Sequence, residues 1–177
     1  MARYAVLLRG VNVGRAKRVG MAELRELLTG DGYENVGTLL QSGNVVLDAK
    51  GSATALARAV ERAIEKRFGF PVTVIVRTRA EMRRVVAGNP LGDVADDGSK
   101  YFVAFLAAPA NPSLEDTLDA VDLGDDRYVV DGTELYAWCP GGIRDSPLFA
   151  ALGKAKGGPA TTVRNWNTVE KLAAMLG

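Results

Sequence analysis

Between Ala53 and Phe68, the residues Leu56, Val60, Ile64 and Phe68 recur at every fourth position, so one stripe of an α-helix is apolar and demands a partner. Gly69 terminates this helix. Its flanks decide what it can pack on. Ahead of it, Val36–Leu40 and Val45–Leu47 read as two short strands joined by Gln41-Ser42-Gly43-Asn44, a hairpin-type turn with glycine where positive φ is easy. Behind it, Pro71 leads into the apolar strand Val72–Val76. Earlier still, the apolar run Tyr4–Arg9 ends at Gly10, and Met21–Leu28 places Met21, Leu24, Leu27 and Leu28 on one helical face. The order is βαββαβ, the split βαβ or ferredoxin-like unit.

The remainder repeats that cadence. Thr78-Arg79-Ala80-Glu81 is a capping box opening a short helix to about Ala87, which Asn89-Pro90-Leu91-Gly92 ends. An acidic, Gly-containing connection from Asp93 to Ser99 follows. Then come a strand at Tyr101–Ala107 and a helix at about Ser113–Val121. Strands Tyr128–Val130 and Glu134–Trp138 close around Asp131-Gly132, and Ser146-Pro147 opens a helix to about Leu152. Gly157-Gly158-Pro159 breaks the chain before a short strand, Ala160–Val163, and Asn167 is expected to cap the final helix. The spacing from hairpin glycine to last strand is similar in both series, Gly43 to Val72 and Gly132 to about Ala160. The expected architecture is therefore α+β, two ferredoxin-like βαββαβ repeats with an extra C-terminal helix. The first unit with its connecting helix covers residues 1–90 and the second covers 100–177, and the two can pack as one globular body.

Composition removes several classes of chemistry. The 177 residues contain no histidine, so Ser-His-Asp and Cys-His catalysis and imidazole metal ligation are excluded. One cysteine, Cys139, permits neither an internal disulfide nor a Cys-based zinc motif. No metal or cofactor is expected. A reducing, cytoplasmic compartment follows from that cysteine usage and from the lack of a signal peptide or long apolar span, and no membrane partner is expected. Charge is near balance at +1 yet unevenly placed. Residues 1–22 carry Arg3, Arg9, Arg15, Lys17 and Arg18 without an acid, whereas 91–134 carry eleven acids against Lys100 and Arg127. Such blocks set the field at a cleft more than the total does.

Three polar stretches are candidates for a site. Arg9-Gly10-Val11-Asn12-Val13-Gly14 runs into Arg15, Lys17 and Arg18 before a helix, an arrangement suited to an anion although it matches neither the Walker pattern nor G-x-G-x-x-G. Its competing reading is a strand-to-helix turn with solvated basic side chains. Strand direction brings this loop beside Gln41–Asn44, whose residues also suit a plain tight turn. In the second half the same tracing brings Gly141–Ser146 beside Arg164–Thr168. The candidate ligand-binding residues are Arg9, Asn12, Gly14, Lys17, Ser42, Asn44, Arg144, Thr162, Arg164 and Asn165, with Arg164 foremost, because an arginine beside Trp166 can stack on a base or grip a phosphate in bidentate fashion. Trp138 and Cys139 read as packing residues.

Leu8-Arg9-Gly10-Val11-Asn12-Val13-Gly14, Gln41-Ser42-Gly43-Asn44 and Thr161–Thr168 resemble, in this order, the signature blocks of a bacterial family called domain of unknown function 1697. The resemblance implies two ferredoxin-like repeats and brings no established activity, substrate or catalytic residue.

Three functions are compatible with these residues. The first is a binding module for a phosphate-bearing ligand, a nucleotide or single-stranded nucleic acid. The second is a histidine-independent enzyme on an anionic substrate, with Arg9, Lys17 and Arg164 stabilising developing negative charge. The third is a protein-interaction or assembly module in which the acidic middle of one copy meets the basic ends of another.

Overall fold

The computed structural model describes residues 1–177, which form a mixed α+β fold of two four-stranded antiparallel sheets and six helices. Residue contacts divide the chain into two compact units, Met1–Arg84 with Lys171–Gly177, and Val85–Glu170. No helix is long and apolar enough to cross a membrane.

The first unit contains β1 (Ala2–Leu8), α1 (Met21–Gly30), β2 (Glu34–Leu39), β3 (Asn44–Ala49), α2 (Ala53–Phe68) and β4 (Val74–Thr78). Its sheet runs β2-β3-β1-β4, which makes the first strand central. Alternation along β1 sends Tyr4, Val6 and Leu8 into a core with Leu24 and Leu28 of α1 and Leu56, Val60 and Ile64 of α2. The intervening Ala5 and Leu7 are also fully buried, which is why β1 reads as an unbroken apolar run. The ends of α2 are set by local chemistry. The Ser52 hydroxyl accepts the Ala55 N–H at 3.2 Å, and Gly69 takes φ +84° at the C-terminus.

Helix α3 (Arg79–Gly88) opens on the expected capping box, closed from both sides. Glu81 N donates to Thr78 Oγ1 at 3.1 Å and Thr78 N to Glu81 Oε2 at 2.7 Å.

The second unit continues with β5 (Tyr101–Leu106), α4 (Pro112–Asp119), β6 (Arg127–Asp131), β7 (Glu134–Trp138), α5 (Pro147–Lys154) and β8 (Thr161–Asn165). The sheet order is β6-β7-β5-β8, so the strand order of the first sheet recurs. Phe102, Ala104 and Leu106 of β5 pack with Leu114 and Leu118 of α4 and Leu148 of α5. Pairing of Asp131 with Glu134 leaves Gly132 and Thr133 as the hairpin loop, with Gly132 at φ +61°.

Several local readings change; the strand expected at Val72–Val76 is β4 at Val74–Thr78, two residues later. Helix α4 starts at Pro112 behind Asn111, whose side chain accepts the Leu114 N–H at 3.1 Å; Asn111-Pro112 is the same cap-plus-proline signal as Ser146-Pro147. The last strand is longer than Ala160–Val163 and extends through Asn165. Helix α6 (Trp166–Leu176) is capped by Asn165, whose Oδ1 accepts the Thr168 N–H at 3.0 Å, and not by Asn167. Asn167 instead receives the chain before β5: its N–H donates to Gly98 O at 3.4 Å. Trp166 stacks on Tyr101 with ring centroids 4.7 Å apart.

The end of the chain packs in the first unit. Arg3 Nε donates to Met175 O at 3.2 Å, and the Met175 methyl lies near Gly37.

Candidate functional site

The loop between β1 and α1 holds its shape through Asn12, which adopts φ +57°. Asn12 Nδ2 donates to Val19 O at 2.8 Å and to Gln41 O at 2.7 Å, while its Oδ1 accepts the Val19 N–H at 2.9 Å. One amide thus closes the loop on itself and ties it to the β2–β3 turn. A second tie is Leu8 N to Gly43 O at 2.9 Å. The loop and the turn are neighbours, as strand direction required, but Asn12 spends its amide on scaffolding.

Ser42 and Asn44 serve the turn in the same way. Asn44 is fully buried at the start of β3, and its Nδ2 donates to Leu39 O at 2.8 Å and Ser42 Oγ at 2.9 Å. Gly14 stands exposed in the loop at φ +66°, a conformation that favours glycine.

With the loop held, Arg9 and Lys17 keep their side chains exposed. Both line a cleft of about 580 Å³, together with Gly10, Glu61 and Glu65 of α2, and Pro71, Val72 and Thr73 ahead of β4. Backbone pairing of Arg9 N with Thr73 O at 2.9 Å holds the two chain segments together. Glu61 Oε1 accepts the Val74 N–H at 2.9 Å, anchoring the half-buried carboxylate beside the strand entry. Sequence periodicity ranked α2 by its apolar stripe and passed over Glu61 and Glu65. Their four-residue spacing is visible in the chain, yet what they face depends on the packing of α2 against the sheet.

The second-half candidates lie otherwise. In β8, Thr162 and Arg164 share one face, cross-strand from Phe105 and Val103. Arg164 is 7% exposed and donates from Nη1 to Thr162 Oγ1 at 2.7 Å and to Val163 O at 2.9 Å. Burial pushes its pKa down to about 10. A ligand arriving from solvent has little of this guanidinium to touch. Asn165 is engaged as the α6 cap, and Arg144 is exposed in the turn before α5. Both segments reach the sheet end formed by the chain before β5, through Cys139 N to Lys100 O at 3.0 Å and Asn167 N to Gly98 O at 3.4 Å.

Ser146 caps α5, accepting the Phe149 N–H at 3.1 Å while its hydroxyl donates to Asp126 Oδ2 at 2.6 Å. Cys139 Sγ lies 3.4 Å from Ser146 Oγ and is fully buried. Burial pushes the thiol up to about 11; the nearby Asp126 carboxylate acts in the same direction, and the Ser146 hydrogen bond opposes it. The thiolate is the reactive form, so the shift from 9.0 to about 11 lowers its fraction at pH 8 on the order of a hundredfold. Native protein is therefore expected to resist iodoacetamide at pH 8, by mass spectrometry, while the urea-unfolded chain is alkylated promptly. Comparable rates in the two states would contradict this placement.

No group of three or more His, Cys, Asp or Glu side chains is arranged to hold a metal ion.

The fold is similar to that of a solved structure, the conserved bacterial protein SP0830 from Streptococcus pneumoniae. The TM-score is 0.81 at 23% identity, over 99% of this chain and 99% of that one. No curated protein matches the sequence. The family model described as "Protein of unknown function (DUF1697)" matches residues 1–136, which include both the β1–α1 loop and the β2–β3 turn, and the chain belongs to that family.

Proposed function

We propose that the chain is a binding module for a small phosphate-bearing ligand such as a nucleotide, held in the cleft of the first unit. One observation carries this reading. Arg9 and Lys17 line a cleft of about 580 Å³ beside Gly10, and neither is neutralised by a salt bridge within the chain. Because Asn12 pins the loop backbone, binding an anion there has to order the two side chains but not the loop that carries them. A single-stranded nucleic acid, anionic along its whole length, is the weaker fit, because Glu61 and Glu65 line the same cleft.

The same reading takes each unit as a ferredoxin-like repeat and the chain as an internal duplication, supported by the recurrence of one strand order in both sheets. It also places the protein in the cytoplasm, supported by a single, buried cysteine.

Titration of the whole chain with adenosine monophosphate, followed by amide chemical shifts, tests the site. Shifts are expected at Arg9–Lys17 and Thr73. Arg9→Ala and Lys17→Ala are each expected to weaken binding about tenfold, as removal of one charge-assisted contact does, and affinity should drop with added salt. Binding that is indifferent to both substitutions would remove the cleft from consideration.

A further inference from the structure

We infer that this cleft selects a phosphate ester that also carries a protonated amine, with the phosphate on Arg9 and Lys17 and the ammonium on Glu61 and Glu65. The inference deepens the anion-site reading above and rests on it.

The cleft is lined by two cations and two carboxylates, equal in number and opposite in sign. None of the four is in a salt bridge, whereas the pairs Arg3–Asp48 and Arg67–Glu23 do close elsewhere in the same unit. The opposite charges thus line one cleft without pairing with each other. Glu61 and Glu65 stand one helical turn apart on α2, so they present carboxylates along one face. The hydrogen bond from Val74 N fixes Glu61 and uses one of its acceptor positions, leaving others for a ligand donor.

A bare phosphate dianion drawn in by Arg9 and Lys17 also meets the field of the two carboxylates that line the same cleft, which works against it. A ligand with a cation a few bonds from its phosphate turns that repulsion into attraction. The ammonium brings the net charge of the ester from about −2 to about −1, closer to the zero sum of the four side chains. The volume suits a small ester and leaves no requirement for a polymer.

O-Phosphoethanolamine and ethyl phosphate differ by the amine, and their affinities for the whole chain at pH 7.5 can be compared by calorimetry or amide shifts. The wild-type chain is expected to bind phosphoethanolamine about fivefold more tightly, the gain of one partly solvated ion pair. Glu65 is exposed, so Glu65→Gln is expected to fold normally and to reduce the preference; Glu61→Gln with Glu65→Gln should abolish it. Equal affinity for the two esters in the wild type, or a preference that survives the double substitution, overturns the inference. Ethyl phosphate binding that depends on Arg9, without an amine preference, overturns this step alone and leaves the anion site standing. Binding of neither ester overturns both.

Discussion

Gly43→Ala is expected to lower the free energy of unfolding by about 2–5 kcal/mol, read as a fall in the urea midpoint at constant slope. Two separate costs add here. Gly43 sits at φ +86°, where an L-residue costs about 1–2 kcal/mol. A Cβ built on it also lies 2.7 Å from Leu8 Cβ and 2.8 Å from Val11 Cγ2. Leu8 Cβ is fixed to the central strand and cannot swing aside, so overpacking of about 1–3 kcal/mol is added. Gly51→Ala separates the terms. Gly51 has φ +90° with nothing within 4 Å of the new Cβ, so it should show the backbone cost alone. Equal losses at the two positions would mean that the contact with Leu8 and Val11 is relieved at no cost. Because Gly43 O accepts the Leu8 N–H and the Asn12 amide ties this turn to the loop, Gly43→Ala is also expected to loosen the Arg9–Lys17 cleft.

Arg164→Ala is expected to cost about 3 kcal/mol of stability while leaving phosphate affinity unchanged. The guanidinium is buried, and its hydrogen bonds to Thr162 Oγ1 and Val163 O are charge-assisted, worth about 1.5–3 kcal/mol when lost. Truncation also leaves a cavity in a close-packed region, which adds to the loss. Burial itself works against the cation, as its lowered pKa records. Arg164→Met, which refills much of the volume without a charge, should therefore recover part of the loss. Arg9→Ala is expected to behave in the opposite way, with stability kept and affinity lost. Should Arg164→Ala leave stability intact and abolish phosphate binding, Arg164 would return as the principal ligand residue and the cleft would lose that role.

The contrast between these two arginines shows how far the sequence could be read. Arg9 and Arg164 look alike in the chain, each a cation near a strand end with small or polar neighbours, Gly10 and Asn12 for Arg9, Thr162 and Asn165 for Arg164. Arg9 lies one residue beyond β1 and projects into solvent; Arg164 lies inside β8, on a buried face. A difference of one or two residues in where a strand stops therefore separates a surface cation from a buried one, and strand ends are where local patterns are least decisive. The same holds for Asn165 and Asn167, since shifting the start of α6 by two residues moves the cap from one asparagine to the other.

Features governed by neighbours in sequence were legible in the chain. The four-residue stripe of α2, the Thr78–Glu81 capping box, the Ser146-Pro147 helix start and the glycine of each hairpin depend on groups within a few residues of one another, so periodicity and turn chemistry specify them. Other features required the folded chain. They are the meeting of Arg9 and Lys17 with Glu61 and Glu65, the burial of Thr162 and Arg164, the use of Asn12 as a staple, and the grouping of Lys171–Gly177 with the first unit. Each depends on which strands pair and which helix face turns inward, quantities set by packing between segments tens of residues apart. The sequence by itself thus determined the elements and their order. Tertiary structure decided which of its charges stay in water and which of them line one cleft together.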